Sequence, residues 1–205
     1  MEMTKDWSYP KIAPIQVVII PIYHSDDEKE NVVQKAIQIK DSLSKINLRV
    51  HLDDREQLTP GFKFNDWEMK GIPVRIEIGP KDIAKNQVVL ARRHDQTKTS
   101  IDMDSSSEKI SSELKNIQNE MFDAAKKILE KRVVRVSEYQ QFKKELENGK
   151  MIDCSWCGNQ TCEDKIKEET GADLRVIPFD NTQKSETCIY CKNSGTTNVL
   201  FAKGY

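Results

Sequence analysis

Five cysteines stand at positions 154, 157, 162, 188 and 191, a layout that suits a metal ion better than disulfides. Zinc takes four soft ligands in a tetrahedron, usually delivered as two short-spaced pairs from two turns. Cys188–Cys191 is a C-x-x-C pair. The other pair is open, because Cys154–Cys157 has two residues between its members and Cys157–Cys162 has four, both within the usual range. Spacing alone favours Cys154–Cys157. Four thiolates leave no coordination position for a substrate, so such an ion would stabilise the fold and do no chemistry. Between the pairs, EDKIKEETGADLRVIPF offers a charged helix ended at Gly171 and a short strand, little apolar material for a core that metal does not support.

A second concentration of chemistry lies in DDREQLTPGFKFNDWEMKGIPVRIE. There Asp54, Arg55, Phe62, Lys63, Phe64, Trp67, Glu68, Arg75 and Glu77 interleave aromatic rings with both signs of charge. Single-stranded RNA is read by stacking on such rings and by hydrogen bonds to base edges, and guanine presents N1–H and N2–H donors to a carboxylate. Acidic side chains therefore belong in an RNA reader. The plainer reading buries Phe62, Phe64 and Trp67 in a core and solvates the charges. Arg92, Arg93 and His94 form a modest basic cluster at a strand end, suited to phosphates or to a solvated edge. Catalytic patterns are missing: there is no G-x-G-x-x-G, no phosphate-binding G-x-x-x-x-G-K, no H-E-x-x-H and no serine elbow, and His24, His51 and His94 stand singly near strand ends.

The elements that must position these residues follow from periodicity. QVVIIPIY (16–23) is an apolar run of strand length, and the pattern after Asp26–Asp27 places Val32, Ala36, Ile39, Leu43 and Ile46 on one helical face. Leu48 to Leu52 reads as a short strand whose polar continuation, broken at Pro60–Gly61, is a loop of the kind where α/β sheets bind ligands. Phe62 to Lys70 reads as a short helix stopped by Gly71 and Pro73. In VRIEIGP, Val74, Ile76 and Ile78 alternate with Arg75 and Glu77, and QVVLARR follows as another strand. Ser105 and Glu108 have capping-box spacing, and Ile110, Leu114, Ile117, Met121, Ala125 and Ile128 then mark a long amphipathic helix to about Arg132, joining two domains.

With 205 residues, the chain is long enough for one large domain or two small ones. Its 32 basic and 33 acidic side chains leave a formal charge of −1, so any nucleic acid must be held by a local patch rather than by a broadly basic surface. The longest apolar stretch, Val17 to Tyr23, is far too short to span a membrane, and Met1 to Tyr9 has no apolar leader segment. The expectation is a soluble, cytoplasmic, unprocessed protein with no membrane and no DNA partner.

At PGFKFNDWEMKGIPVRIEIGPKDIAKNQVVLARR the sequence resembles the anticodon-binding domain of prolyl-tRNA synthetase, in its archaeal and eukaryotic form. The resemblance runs upstream through APIQVVIIPIY and downstream to WCGNQTCEDKIKEETGADLRVIPF, which is similar to that family's zinc-binding C-terminal domain. It implies an α/β fold with a five-stranded mixed sheet and flanking helices over residues 11–130. A small α+β zinc-binding domain would follow over residues 131–205. It also assigns the open cysteine pair: the family's C-G-x-x-x-C falls on Cys157 and Cys162, which with Cys188 and Cys191 would hold structural zinc, leaving Cys154 as a spare thiol. The family reads the second and third anticodon bases of proline tRNA, both guanine. On this sequence the carry-over gives Asp54, Arg55, Phe62, Lys63, Trp67, Glu68, Arg75 and Glu77, with Glu77 or Glu68 accepting from a guanine edge, an arginine fork on O6 and N7 or on phosphate, and Phe62 stacking.

The three class II motifs that bind ATP, proline and the acceptor end are not in this sequence, so the chain is expected to be inactive alone and to serve a larger ligase, homodimeric in this family. The resemblance also implies that Tyr205 lies near the active site of a full enzyme. The competing expectation is an accessory protein–protein module of the same fold that reads no anticodon.

Overall fold

The computed structural model describes residues 9–179 and 186–204, so Tyr205 lies outside the described residues. The chain divides into two compact units, Met1–Asp123 and Ala124–Tyr205.

In the first unit, β1 (Val17–Pro21) is buried along its whole length, as a central strand covered on both faces must be. Helix α1 (Asp26–Lys45) follows, capped by Ser25, whose hydroxyl accepts from the Glu28 N–H while the Glu28 carboxylate accepts from the His24 N–H. Val32, Ala36, Ile39 and Leu43 are its buried face. Ile46, expected on that face, is instead the C-cap and 45% exposed, because Asn47 at φ 61° turns the chain away. The strand expected from Leu48 is shorter, β2 (Val50–Leu52). Helix α2 (Pro60–Met69) is capped by Thr59 and carries Pro60 where a missing N–H costs nothing. Then come β3 (Val74–Ile78), the short α3 (Pro80–Ile83), β4 (Gln87–Arg92), β5 (Lys98–Asp102) and α4 (Ser106–Arg132).

The five strands order as β2-β1-β3-β4-β5, with β1 parallel to β2 and β3 and the last two pairings antiparallel. One face carries the large core: Val17, Ile19, Val74, Ile76, Ile78, Val88 and Leu90 pack with the inner sides of α1 and α4. The opposite face begins with Val18 and Ile20, which pack with Trp67 of α2 and Ile72. Register sets Arg75 beside Val18 and Glu77 beside Ile20, so both charges project on the α2 side. The capping box expected at the start of α4 does not form. The Ser105 hydroxyl bonds the Asp102 carbonyl, and the Asp102 carboxylate accepts from the N–H groups of Asp104 and Ser105. The apolar stripe of α4 packs through Ile110, Leu114, Ile117 and Met121, whereas Ala125 and Ile128 are exposed.

The second unit holds a four-stranded sheet ordered β6-β7-β9-β8, from β6 (Val133–Arg135), β7 (Met151–Trp156), β8 (Ala172–Val176) and β9 (Thr197–Lys203). Helices α5 (Tyr139–Glu147) and α6 (Gln160–Thr170) supply Phe142, Leu146 and Ile166 to its core. Gly171 closes α6 in the left-handed conformation at φ 71°, as the sequence predicted. No helix among the described residues is long and apolar enough to cross a membrane.

Candidate nucleic-acid interface and metal centre

The α2 side of the first sheet is built around a carboxylate that the sequence reading passed over. Asp53, at the C-terminal end of β2, is fully buried. Its carboxylate accepts from Arg55 Nε at 2.9 Å and Nη2 at 2.7 Å, from the Arg55 N–H at 3.2 Å and from the Trp67 indole at 2.7 Å. Lys63, also buried, donates to the Asp53 carbonyl at 3.1 Å. Burial alone would raise this acid, but the bonds from Arg55 and Trp67 outweigh it and hold the carboxyl well below its usual range. Two of the nominated residues, Lys63 and Trp67, are thus inward-facing braces, four residues apart on one side of α2. Arg55 is half-buried between Asp53 and Asp66, Asp54 is exposed, and Phe62 is 54% exposed. His51 lies with its ring 4.8 Å from Trp67, and burial lowers its pKa.

Fixing the inner side of α2 decides what its other side presents. Phe64 and Glu68, one position further round the helix, face strands β3 to β5 beside a small cleft whose lining includes Val18 and Ala91. The Arg75 guanidinium lies 4.2 Å from the centre of the Phe64 ring and donates through Nε and Nη2 to Glu77 Oε1, at 3.0 and 2.9 Å. Lys98 of β5 reaches the same carboxylate at 2.8 Å and also approaches Phe64. Arg93 donates to the Glu68 carbonyl at 2.9 Å. Glu68, Arg75 and Glu77, nominated from sequence, are therefore together with Phe64, which the sequence placed in the same aromatic-charged stretch, and Arg93, Gln96 and Lys98 join them from positions the sequence reading had not assigned to this site. The strand alternation that put Arg75 and Glu77 on one face would have found Lys98, since β4 pairs Ala91 with both Arg75 and Lys98.

Arg92 is turned elsewhere, bonding Glu113, Glu120 and His94. His94, Asp95 and Glu120 offer ligand atoms close together. The Arg92 Nη2 lies 2.9 Å from His94 Nε2 and 3.4 Å from Asp95, so a guanidinium already fills the place a cation would take.

In the second unit, β7 delivers Cys157 at its end, Gly158 turns the chain at φ 79°, and Asn159 caps α6, whose first turn carries Cys162. The other two thiols sit on a turn in which the Cys188 N–H donates to the Asn193 carbonyl at 2.7 Å and Lys192 adopts φ 61°. The four sulfurs of Cys157, Cys162, Cys188 and Cys191 lie within 4.8 Å of one another, with Cys157 3.6 Å from Cys162 and 3.8 Å from Cys191. Sulfurs at tetrahedral corners, each about 2.3 Å from zinc, are about 3.8 Å apart. The Asn193 N–H lowers the Cys191 pKa, and the Asn159 N–H acts the same way on Cys157, where burial prevails and the net shift is upward. Burial and the neighbouring thiols push Cys162 up to about 12. Cys154, which spacing alone had favoured, points into the core of the second sheet, is fully buried and is pushed up to about 12 by burial. It alternates with Ile152 on the inward side of β7.

A family profile described as an anticodon binding domain matches residues 16–113, and one described as the C-terminal domain of prolyl-tRNA synthetase matches residues 139–205. The proline--tRNA ligase of Cenarchaeum symbiosum is 45% identical over 196 residues, 96% of this chain and 41% of that protein. The chloroplastic/mitochondrial proline--tRNA ligase of Arabidopsis thaliana is 42% identical over 202 residues, 96% of this chain and 37% of that protein. The proline--tRNA ligase of Clostridium botulinum is 42% identical over 197 residues, 96% of this chain and 40% of that protein. The chain spans about two fifths of the length of these relatives. With both domain matches and this identity along nearly all of its length, the chain belongs to the prolyl-tRNA synthetase family, of which it carries the anticodon-binding and C-terminal domains.

Proposed function

We propose that the first unit reads the anticodon of a proline tRNA, as the C-terminal portion of a proline–tRNA ligase that joins proline to its tRNA using ATP. In this reading residues 11–130 are the tRNA-reading domain and residues 131–205 a zinc-binding domain. Activation of proline and dimer formation rest with the part of the ligase beyond this chain, which works in the cytoplasm.

The observation that carries the reading is the face of the first sheet beside α2, where Arg75, Glu77 and Lys98 gather around Phe64. Its charges are held in fixed pairs rather than loosely solvated, next to an aromatic ring and a small cleft. Such a surface offers guanine a carboxylate acceptor in Glu68 and a planar donor in Arg75, while Glu77, buried and paired with Arg75 and Lys98, would accept from a guanine edge only by exchanging one of those partners. Phe62 and Phe64 are the rings on which a base would stack. Asp54 and Arg55 would meet the loop from the rim, whereas Lys63 and Trp67 serve it from beneath through Asp53. Titration with a proline anticodon stem–loop should show binding that weakens when either guanine is replaced; equal affinity for all loops would remove the proposal. Arg75→Ala should weaken binding by about 1–3 kcal/mol if that side chain meets a base edge.

The donor set of the second unit fits zinc: four thiols at near-tetrahedral separations, two of them facing backbone N–H groups. Cys157, Cys162, Cys188 and Cys191 would hold the ion, which would supply folding energy and no catalysis. One equivalent of zinc with sulfur-only coordination in an absorption spectrum is the expected result.

A further inference from the structure

In the β4–β5 hairpin, Gln96 adopts φ 62°, a left-handed conformation that a side chain with a Cβ occupies only against strain. Its amide nitrogen donates to Glu68 Oε1 at 2.7 Å and to the Arg93 carbonyl at 2.8 Å. Arg93 in turn donates to the Glu68 main-chain carbonyl. The hairpin therefore grips the last turn of α2 at one residue, once through its backbone and once through its carboxylate. One carboxylate oxygen of Glu68 is thereby engaged, while Oε2 carries no hydrogen bond among the described residues, and Glu68 is one of the residues lining the cleft.

We infer that Gln96 is a specificity-positioning residue: by holding Glu68 Oε1, it leaves Glu68 Oε2 to meet the N1–H and N2–H edge of a guanine docked beside α2. This rests on the anticodon-reading proposal above. A carboxylate on a flexible stem must lose rotamer freedom when it meets a base, and one already fixed by a neighbour loses less, so its acceptor works harder for the correct partner. The strained backbone is the counterpart of that gain, since glycine at position 96 would relax the turn but leave Glu68 unheld.

The test compares wild type, Gln96→Gly and Gln96→Asn in stem–loop titrations, with each anticodon guanine replaced in turn by adenine and by inosine, which lacks the N2 amino group. Thermal unfolding is followed in parallel. Gln96→Gly should melt at or above the wild-type temperature. Its preference for guanine at one anticodon position should nevertheless fall roughly fivefold to tenfold, a partial loss of a base-edge contact. Gln96→Asn tolerates the left-handed turn but is too short to reach Glu68, and should lose selectivity in the same way whatever its melting temperature. A residue serving only the turn would not lower selectivity while stability holds or rises. Unchanged selectivity in both variants overturns the inference, as does tighter guanine binding, which would mean that Gln96 competes for Glu68. If wild type shows no preference for guanine, the anticodon-reading proposal itself fails and the inference goes with it.

Discussion

Asp53 shows how far one side chain can govern a surface it never reaches. Replacing it with alanine leaves the Trp67 indole and one side of the Arg55 guanidinium facing a buried gap, and removes the carboxylate 3.7 Å from the buried Lys63 ammonium, which keeps its bond to the main-chain carbonyl. Breaking a buried charge pair from one side costs about 3–5 kcal/mol. Urea unfolding followed by tryptophan emission should show a loss of that order in the first transition. The acid limb is informative too. Asp53 binds its proton more weakly folded than unfolded, so its stabilisation is complete above the unfolded carboxyl pKa of about 4 and fades as pH falls through the lower folded value. Asp53→Asn should flatten the acid limb below about pH 4. His51, also lowered, weakens the fold in the same direction from about pH 6.5 downward, where the unfolded chain takes up that proton first. In the second unit, Lys192 occupies φ 61° while its ammonium makes only exposed contacts to Ser137 and Glu138. Lys192→Gly should therefore raise the thermal midpoint of the metal-loaded second unit, by about 1 kcal/mol of stability.

At the level of elements, the cysteine-bearing turn depends on a close approach. Gly195 donates its N–H to the Glu186 carbonyl, and a Cβ there would overlap the Ser155 hydroxyl and crowd that carbonyl. Gly195→Ala should push the 186–195 segment off β7, displacing Cys188 and Cys191. Metal affinity should drop on the order of 10- to 100-fold in a competitive chelator titration. Much of the first unit's framework was legible: β1, the inner face of α1, the alternation of β3 and the packed part of α4 are all written in apolar spacing. The elements between 133 and 156 were not, because β6 brings no buried residue and α5 and β7 only two and three within a charged stretch, and the core partners of β7 lie far along the chain on β9. Asp53 hid for a related reason. A paired acid after a strand reads as loop, and only the arrival of Trp67, fourteen residues on, makes it interior. The left-handed Gln96 and Lys192 gave no signal, since neither is the glycine that marks such turns. Spacing alone favoured Cys154 and the family resemblance pointed to Cys157 and Cys162; what neither could show is the pleat of β7, which turns Cys154 inward.

For the molecule as a whole, the division into two units predicts two separable responses. Exhaustive chelation should abolish the cooperative transition of the second unit while leaving that of the first, because only the second draws folding energy from the proposed ion. Calorimetry with and without chelator checks this, and a single merged transition in both states would refute it. Cys188→Ala should reproduce the chelated trace without chelator. The order of strands carries a further consequence. Among the described residues strand β9 comes after β6, β7 and β8 yet pairs on both sides, with β7 and with β8. During translation the first unit has all five strands and the packed part of α4 once the ribosome has released residue 121. The other sheet stays in two unjoined pieces until its closing strand leaves the exit tunnel. A premature stop codon between residue 121 and Thr197 would thus yield a polypeptide with an intact first unit and an unsealed remainder, the state that cellular proteases clear first.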